Sequence, residues 1–329
     1  MTLIGYHASH EQFAPSELRD LVMLAEQCGF HCAKSSDHFH PWSDRQGHSG
    51  HAWSWLGAAM QASSLPFGII SAPGYRYHPA VLAQAAATCG EMFPGRLWLA
   101  LGSGEAINEA ITGEAWPEKA ERNARLAECV DVMRALFAGE TVTHRGRVTV
   151  IEAKLYSRPT TPVPLFGAAV SASTAAFVGE WADGLLTTSG GDIATTREVI
   201  ATFRGVAGDD KPVYLQHAMS WASTEAEALH QALDQWGPVA AGGEVNWDLR
   251  RPGDFDRIAR SVGASEITEC LKVSADIGRH LGWLEDLVLL GADHIYLHCV
   301  GRNQAAFVEA LGPRLTLSGF AGTQGNPRR

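Results

Sequence analysis

The stretch that decides how this chain folds is Phe30-His31-Cys32-Ala33-Lys34-Ser35-Ser36-Asp37-His38-Phe39-His40-Pro41-Trp42. Its first part is an apolar run typical of a β-strand, and Pro41 ends regular structure just after it. An acid (Asp37), a base (His38) and an aromatic ring (Trp42) therefore stand together at the carboxyl end of a predicted strand. In parallel α/β folds, that edge is where ligands bind and reactions take place. The competing interpretation is a histidine-rich surface loop.

The size of the chain allows either one large barrel or two ordinary domains. It has 329 residues, and a barrel of alternating strands and helices typically needs about 250. The composition, 46% hydrophobic and 19% charged, is that of a globular protein. No apolar run reaches the roughly 20 residues that cross a bilayer. Residues 1–6 carry neither a basic nor a long apolar segment, so we expect no signal peptide and a cytoplasmic location.

Charge and cysteine usage argue against two further classes of protein. The formal net charge is −10 and lysine and arginine do not cluster, so we expect no nucleic-acid partner. The six cysteines are scattered through predicted helices and strands, which favours reduced, buried thiols over a disulfide framework. None of them has the Cys-x-x-Cys spacing of a zinc site.

Apolar runs alternate with helical patterns along the whole chain, which predicts a single (β/α)8 barrel. The helical patterns repeat apolar residues at the three- and four-residue spacing of one buried face. The predicted strands lie at residues 3–9, 31–37, 67–73, 96–101, 164–170, 184–189, 212–222 and 293–300. Right-handed crossovers make one barrel over residues 1–312 the simplest topology, and two Rossmann-like halves are the alternative.

Three segments do not follow this alternation of strands and helices. Residues 139–163 include an alternating pattern with a Gly turn at 142–151, which predicts a small hairpin inserted before the fifth strand. Residues 237–263 contain several Gly turns and are predicted to be a loop-like insertion that covers the carboxyl ends of the strands as a lid. Residues 313–329 are expected to form a loose tail.

The predicted strand ends favour some kinds of chemistry over others. Glycosidase-type catalysis needs two carboxylates at a fixed separation, and Asp37 with Glu105 leaves that possibility open. The chain has no Gly-x-Ser-x-Gly nucleophile motif. Gly102-x-Gly104 alone matches neither the Rossmann nor the phosphate-loop pattern.

Histidines near the second strand have the spacing of metal ligands, but the other strands supply no further ligands. The pattern His38-x-His40 followed by His48-x-x-His51 has spacing that zinc or iron accepts. The fourth to sixth strands end in GSGE, AAVS and TTSG, which supply no histidine or aspartate ligand. We therefore expect no metal and place the last three of these histidines in a solvated loop.

Long motifs, in order along the chain, carry a resemblance to a known family. They are SDHFHPW (36–42), RYHPAVLAQAAAT (76–88), FPGRLWLALGSGEAINE (93–109), WPEKAERNARLAECVDVMRALFAGE (116–140) and WADGLLTTSG (181–190). Over residues 3–312 the chain resembles the F420-dependent glucose-6-phosphate dehydrogenase branch of the bacterial luciferase-like superfamily. The resemblance implies a (β/α)8 barrel, a flavin or deazaflavin across its carboxyl mouth, and a homodimer.

Carried over residue by residue, the resemblance implies roles for three side chains around the reacting atoms. His38 looks like the family's active-site base, Trp42 like the aromatic residue beside substrate and cofactor ring, and Glu105 like the acid near that ring. In this interpretation His38 takes the proton of a substrate hydroxyl while hydride leaves carbon, which suits an imidazole near neutral pH.

The resemblance also implies a set of cofactor contacts. Asp37 looks like an acid that contacts the cofactor, and Ser103 and Asn108 match further contacts. The family's bulge, with a non-prolyl cis peptide beneath the ring, falls near Ile69 and Ile70, followed by Ala72. The phosphate-binding turn corresponds to Ala168, Ala169, Val170 and Ser171, which lead into a helix N-terminus able to receive an anion.

The chain departs from the family pattern at positions that bind the substrate phosphate and the cofactor phosphate. The dehydrogenases clamp the sugar phosphate with three basic residues, and the corresponding positions here are Gly191, Asn246 and Cys270. We therefore expect a small organic substrate other than glucose 6-phosphate. The arginines of residues 250–257 fit a solvated face better than a replacement anion site. The paired glycines of the phosphate turn are missing, which leaves the cofactor open between FMN and coenzyme F420.

The expected function is hydride transfer between a small organic molecule and a flavin-type ring. An FMN-dependent monooxygenase, which would need a flavin reductase as partner, is the main alternative. A flavin-binding protein without turnover and a metal-dependent hydrolase are alternatives from other classes.

Overall fold

Eight parallel strands pair around a ring and close it, which confirms the predicted (β/α)8 barrel. The computed structural model describes residues 2–190 and 192–317. In chain order the strands are β1 (Leu3–Ala8), β2 (Cys32–Ser36), β3 (Phe67–Ser71), β4 (Leu97–Leu101), β5 (Val142–Arg145), β6 (Thr149–Ala153), β7 (Leu165–Ala168), β8 (Gly184–Ser189), β9 (Val213–Ser220), β10 (Lys272–Val273) and β11 (His294–Cys299).

Helices follow the strands and pack around the ring. They are α1 (Pro15–Gln27), α2 (Ala52–Ala62), α3 (Pro79–Met92), α4 (Ala106–Glu109), α5 (Lys119–Ala138), α6 (Ala172–Gly179), α7 (Ile193–Ala207), α8 (Glu225–Gly242), α9 (Pro252–Ala259), α10 (Ala264–Cys270), α11 (Ile277–Val288) and α12 (Gln304–Leu317). Strand residues that face outward, such as Tyr6 and Leu99, join helix residues such as Leu18 and Leu56 in the main hydrophobic core.

The strand register shows that the ring has no open edge between two halves. The order is β1-β2-β3-β4-β7-β8-β9-β11, and β11 returns to β1. All these pairings are parallel, with Gly5 opposite Cys32 and Leu185 opposite Val213. The two-halved alternative is therefore wrong, because an open sheet would leave one pair of these strands unjoined.

Aromatic side chains fill the amino-terminal end of the barrel. Trp98, Phe166, Tyr214 and Tyr296 come from four different strands and contact one another inside the ring. The Phe166 and Tyr214 rings stack at 4.5 Å, and Trp98 Nε1 donates a hydrogen bond to Tyr296 Oη at 3.1 Å. This aromatic plug leaves the carboxyl end of the barrel as the open end.

Of the two predicted insertions, only the first has the structure that the sequence suggested. β5 and β6 form an antiparallel hairpin, as predicted. Residues 237–263 are largely helical rather than loop-like: α8 continues through Pro238, a 3₁₀ turn spans Gly243–Trp247, and α9 follows. Burial of the apolar face of α8, including Leu229, Leu233 and Trp236, against Ile267 outweighs the roughly 3 kcal/mol that a helical proline costs.

The end of the chain also differs from the prediction. α12 runs to Leu317, past the expected barrel boundary at residue 312. Residues 318–329, the rest of the expected tail, lie outside the described residues, as does Gly191. In the part of the chain that the structure describes, no helix combines the length and apolar character that a bilayer crossing requires.

Candidate active site

A cavity of about 500 Å³ opens at the carboxyl ends of the strands and collects most of the predicted site residues. On its wall lie the following predicted residues: Asp37, His38, Trp42, Ile70, Ala72, Ser103, Glu105, Asn108, Ala168, Ala169 and Val170. Two predicted residues are not on the wall. Ile69 points outward into the main hydrophobic core, and Ser171 is the N-cap of α6, where its Oγ accepts from Thr174 N.

The strand below the cavity is regular, which corrects one expectation. No cis peptide bond occurs among the described residues, so the one expected near Ile69 and Ile70 is absent there. Both residues pair in register with β2 and β4: Ile70 lies opposite Ser36 on one side and Ala100 on the other. A continuous parallel ladder of this kind has no bulge to accommodate.

His38 stands between two carboxylates. Its Nδ1 is 3.5 Å from Glu11 Oε1, and its Nε2 is 3.8 Å from Glu105 Oε2. The ring also packs against Trp42, with the centroids 5.2 Å apart. Because Nδ1 faces one acid and Nε2 faces the other, the nitrogen atoms are positioned for different tasks.

Glu11 is a fully buried acid that the sequence patterns did not reveal. Its two oxygens accept hydrogen bonds from Ser9 Oγ and Ser36 Oγ, each at 2.7 Å. Burial alone would raise the pKa of Glu11, but the nearby His38 and these two hydroxyls outweigh it and lower the pKa to about 2. Glu11 therefore carries a fixed negative charge next to His38.

Glu105 has the opposite tendency. It lies at the end of β4, and its position away from bulk water raises its pKa, with Glu11 adding to the rise and His38 opposing it. Asn108 Nδ2 donates to Glu105 Oε2 at 3.2 Å, while Asn108 Oδ1 accepts from the backbone N–H of Phe39 at 2.9 Å. Asn108 thus ties the loop that carries His38 to the helix that follows Glu105.

Asp37 is already engaged by protein groups. Its carboxylate accepts from Ser71 Oγ at 2.8 Å, Arg76 Nη1 at 3.1 Å and Tyr77 Oη at 3.2 Å. Since these donors occupy both oxygens, Asp37 is unsuited to be one of two catalytic acids in a glycosidase.

Arg76 also contacts a second acid, Glu109, whose carboxylate accepts from the Arg76 backbone N–H at 2.9 Å. Burial, only partly offset by Arg76, raises the pKa of Glu109 to about 7. The Arg76 guanidinium, whose Nε lies 3.6 Å from Glu109 Oε1, therefore joins the residue before His38 to the helical turn after Glu105.

A second polar group includes the wall residues His7, Gln216 and His298, with Lys34 behind them. Lys34 is 1% exposed and its Nζ donates to Gln216 Oε1 at 2.7 Å. Burial, opposed by Glu11, lowers the pKa of Lys34 to about 7. His7 and His298 lie beside it with ring centroids 4.3 Å apart, and burial lowers the pKa of His298 to about 4 and that of His7 as well. Both histidines are therefore neutral near pH 7.

Indole rings and the helical insertion form the upper wall. Trp42, Trp236 and Trp247 all line the cavity. Phe255 of α9 meets Trp42 edge-on at 5.1 Å, and Asp256 accepts from Ser43 Oγ at 2.6 Å. The insertion is therefore in contact with the loop after β2, as a lid over the cavity would be.

Four of the other histidines and arginines considered from the sequence, His40, His51, Arg251 and Arg257, have structural partners elsewhere. His40 Nδ1 lies 2.8 Å from Ile107 O, and His51 caps α2 by accepting from Ser54 N. Arg251 and Arg257 pair with Asp254 and are 80% and 70% exposed. Within residues 2–190 and 192–317, no group of three or more metal-ligating side chains is assembled.

The cavity has features that fit a flat, polar-edged ligand such as a flavin or deazaflavin ring. Small residues, among them Gly102, Ala168 and Ala169, leave one side of the wall open. Thr187 Oγ1 and His298 Nδ1 are buried, belong to wall residues and have no hydrogen-bond partner among the described residues. Buried polar atoms without partners favour a ligand that pairs with them.

A family comparison and a relative of known name agree with the sequence resemblance. A family model described as luciferase-like monooxygenase matches residues 1–294. A curated protein of Beutenbergia cavernae, named F420-dependent glucose-6-phosphate dehydrogenase, is 37% identical over 319 residues, covering 94% of this chain and 95% of its own length.

Solved structures give the same picture. An F420-dependent secondary alcohol dehydrogenase, in complex with an F420–acetone adduct, is 30% identical with a TM-score of 0.86 and covers 94% of this chain and 97% of its own. A coenzyme F420-dependent tetrahydromethanopterin reductase of Methanopyrus kandleri, 18% identical, has a TM-score of 0.76 and covers 94% of this chain and 97% of its own, which shows a shared fold. The expectation that the substrate is not glucose 6-phosphate is not borne out by the relatives, because the curated one is named for that substrate.

Proposed function

Because the chain belongs to the luciferase-like monooxygenase family of oxidoreductases, we propose that it is an F420-dependent dehydrogenase that interconverts a secondary alcohol and its ketone. The observation that carries the proposal is His38, which lies between Glu11 and Glu105 on the wall of a cavity that three indoles also line. A deazaflavin, when bound, supplies a ring carbon that accepts hydride from the alcohol carbon.

His38 removes the hydroxyl proton in this proposal. In the tautomer proposed here the proton is on Nδ1, 3.5 Å from Glu11 Oε1, which leaves the free electron pair on Nε2, 3.8 Å from Glu105 Oε2. As the proton moves to Nε2 the imidazole becomes a cation, and the fixed charge of Glu11 stabilises it there. The arrangement follows the logic of an acid that orients and supports a histidine base.

Glu105 holds a proton near the reacting carbon more readily than an exposed glutamate, since its surroundings raise its pKa. Asn108 fixes one of its oxygens. The residues that would surround the ring lie at and just after the ends of β3, β4 and β7, among them Ala72, Gly102 and Ala168, and the first turn of α6 would be available to an anionic group of the cofactor. Ser171 caps only the Thr174 N–H, so the earlier N–H groups of that turn remain able to bind an anion.

The shape of the substrate region supports an uncharged alcohol. Trp42, Trp236 and Trp247 contribute indole rings to the wall of the cavity that also holds His38, and apolar faces bind alkyl groups without a cost for desolvating charge. The structural relative named as a secondary alcohol dehydrogenase supports the same substrate class. Glucose 6-phosphate is the second candidate, favoured by the name of the curated relative.

The cofactor assignment rests on relatives that are named for F420. FMN is consistent with the family, but the FMN-dependent monooxygenase and the flavin-binding protein without turnover are not favoured by these names. Two expectations stay predictions: a homodimer, which sedimentation velocity tests, and a flavin reductase partner, which applies only if FMN is the cofactor.

Binding titrations and assays test the proposal directly. The purified protein is titrated with F420 and with FMN by fluorescence, then assayed for F420 reduction with 2-propanol and with glucose 6-phosphate. We expect tight F420 binding and reduction with the alcohol. His38→Asn should keep cofactor affinity and lose activity by about 100-fold or more. Binding of FMN alone, or full activity of His38→Asn, would refute the assignment.

A further inference from the structure

We propose that Lys119 and Arg122 form an anion-binding subsite at the rim of the cavity, which takes a phosphate or carboxylate group of a bound ligand. Both residues line the cavity, and they are the lysine and arginine that do so among the described residues. They stand three positions apart in the first turns of α5, so their side chains project from the same face of the helix. The inference rests on the proposed function for the identity of the ligand, not for the existence of the subsite.

Arg122 has unused donors in a dry position. The residue is 7% exposed, its guanidinium lies 4.6 Å above the Trp116 ring, and its Nη1 donates to Pro117 O at 2.7 Å. Its Nε is buried without a hydrogen-bond partner. An unpaired buried guanidinium N–H is costly. Arg122 also lines the cavity, so an anion bound there would pair with the charge of this guanidinium.

The start of α5 adds to the same positive region. Glu118 occupies the N-cap position but makes no side-chain hydrogen bond to the helix, so the first N–H groups of α5 stay open to a ligand. Two neighbouring acids pair with other arginines: Glu121 with Arg147 at 2.9 Å and Glu114 with Arg125 at 3.3 Å. No ion pair of Lys119 or Arg122 occurs in the described part of the chain.

The acidic residues of the remaining wall would disfavour an anion elsewhere in the cavity. Glu11, Asp37, Glu105 and Glu109 all contribute to the wall, and a phosphate near them would be repelled. Two of the ligands considered above carry anionic groups: F420, with a phosphodiester and glutamate carboxylates on its side arm, and the second candidate substrate, glucose 6-phosphate. The subsite chemistry is the same for both, and binding experiments separate them.

The test uses three variants of the full chain. Arg122→Gln removes the buried donor, and Lys119→Met removes the exposed charge with little risk to the fold. Lys154→Met removes an exposed cation that is not on the cavity wall and serves as the control. Each is titrated by fluorescence with F420, with the deazariboflavin analogue that lacks the side arm, with glucose 6-phosphate and with inorganic phosphate. The Trp116 ring under Arg122 provides an intrinsic signal for the last two.

The titrations distinguish the two possible sources of the anion, the F420 side arm and a substrate phosphate. If the arm of F420 is the ligand, Arg122→Gln should weaken F420 binding about 10- to 100-fold and leave the arm-less analogue unchanged. If a substrate phosphate is the ligand, the loss should appear with glucose 6-phosphate and inorganic phosphate instead. Lys119→Met should show the same pattern with a smaller loss, about two- to fivefold.

Equal binding of every probe by Arg122→Gln, Lys119→Met and Lys154→Met would overturn the subsite, as would a wild-type protein that binds none of the anions. A wild-type protein that binds inorganic phosphate through Arg122 but no deazaflavin would leave the subsite standing and refute the proposed function. The two failures are therefore separable.

Discussion

A histidine held between two acids has nitrogen atoms with different electrostatic surroundings. Glu11 keeps its charge at every ordinary pH because its pKa is lowered to about 2, whereas the pKa of Glu105 is raised. The permanent charge is thus on the Nδ1 side of His38, and the group able to carry a proton is on the Nε2 side. Because of this asymmetry, we expect the imidazole to exchange its catalytic proton through Nε2, on the side of Glu105, while Glu11 stabilises the cation from the Nδ1 side.

Replacing Glu11 by glutamine tests that asymmetry. The amide keeps the size of the side chain and its contacts with Ser9 and Ser36, but it cannot stabilise an imidazolium. We expect kcat to fall about 10- to 100-fold, cofactor affinity to stay unchanged, and the acid limb of the pH–rate profile to move to lower pH. Steady-state kinetics from pH 5 to 9 measure this, with Glu26→Gln, a change far from the cavity, as control. An unmoved acid limb would contradict the role.

The lowered pKa of Lys34 predicts a pH dependence of the free energy of unfolding. Its pKa is about 7 in the folded protein against 10.5 for the ordinary group. Between these values the unfolded chain binds a proton that the folded chain does not, so the free energy of unfolding rises with pH by up to about 1.4 kcal/mol per pH unit. Below pH 7 both states are protonated and the full cost of burying the charge applies.

Lys34→Met removes this dependence. We expect the variant to be less sensitive to pH between 7 and 9 than the wild type, and to be at least as stable at pH 7 despite the lost hydrogen bond to Gln216. Urea unfolding at pH 7, 8 and 9 measures the difference. Parallel pH dependences of the two proteins would show that Lys34 does not titrate in this range.

Asp256 is one of the carboxylates that attach the helical insertion to the rest of the barrel. Asp256 of α9 accepts from Ser43 Oγ at 2.6 Å and from the backbone N–H of Asp44 at 3.2 Å, which joins the insertion to the loop after β2. Next to it, Phe255 is fully buried against Trp42. Closure of the cavity therefore depends on contacts between two segments that lie about two hundred residues apart in sequence.

Asp256→Asn should loosen this attachment. We expect KM for the alcohol to rise about 3- to 10-fold with kcat changed less than about twofold, because the weakened contacts position the lid rather than the reacting groups. Limited proteolysis of residues 243–251 should also speed up. Asp254→Asn, on the same helix but paired only with exposed arginines, is the matched control. Identical KM values for the two variants would contradict the lid role of Asp256.

At the element scale, the sequence predicted the order of strands and helices and the residues at the strand ends, because apolar periodicity determines both. The alternation of strands and helices was enough to place His38 and Glu105 at the same edge of the barrel, whereas Asn108 was predicted only through the family resemblance. Glu11 could not be found this way: it follows β1 in a loop with no motif, and its importance comes from Ser36 on the next strand. The helices of residues 237–263 were missed because Gly237 and Pro238 disfavour a helix locally, while packing on α10 decides the outcome.

For the whole molecule, closure of the barrel depends on a fit between Gly68 and Trp98. A Cβ atom on Gly68 would lie 1.9 Å from Trp98 Cζ2, and the indole is held by the aromatic side chains around it. Gly68→Ala should therefore lower the free energy of unfolding by about 1–3 kcal/mol or more.

Gly57→Ala is the contrasting change. Nothing lies within 4 Å of a Cβ atom at Gly57 in α2, so alanine should stabilise the protein by about 0.5–1 kcal/mol through its better helix propensity. Chemical denaturation of both variants beside the wild type measures the two effects. A Gly68→Ala protein as stable as the wild type would show that the barrel interior can rearrange around the indole.

The aromatic plug also has a kinetic consequence. Trp98, Phe166, Tyr214 and Tyr296 seal the amino-terminal end of the barrel, so molecules that share the cavity enter and leave by the same end. Whatever reaches the deeper position first must wait for the molecule above it to depart. A protein of this shape favours an ordered sequence of arrivals and departures, in which the last molecule to enter is the first to leave.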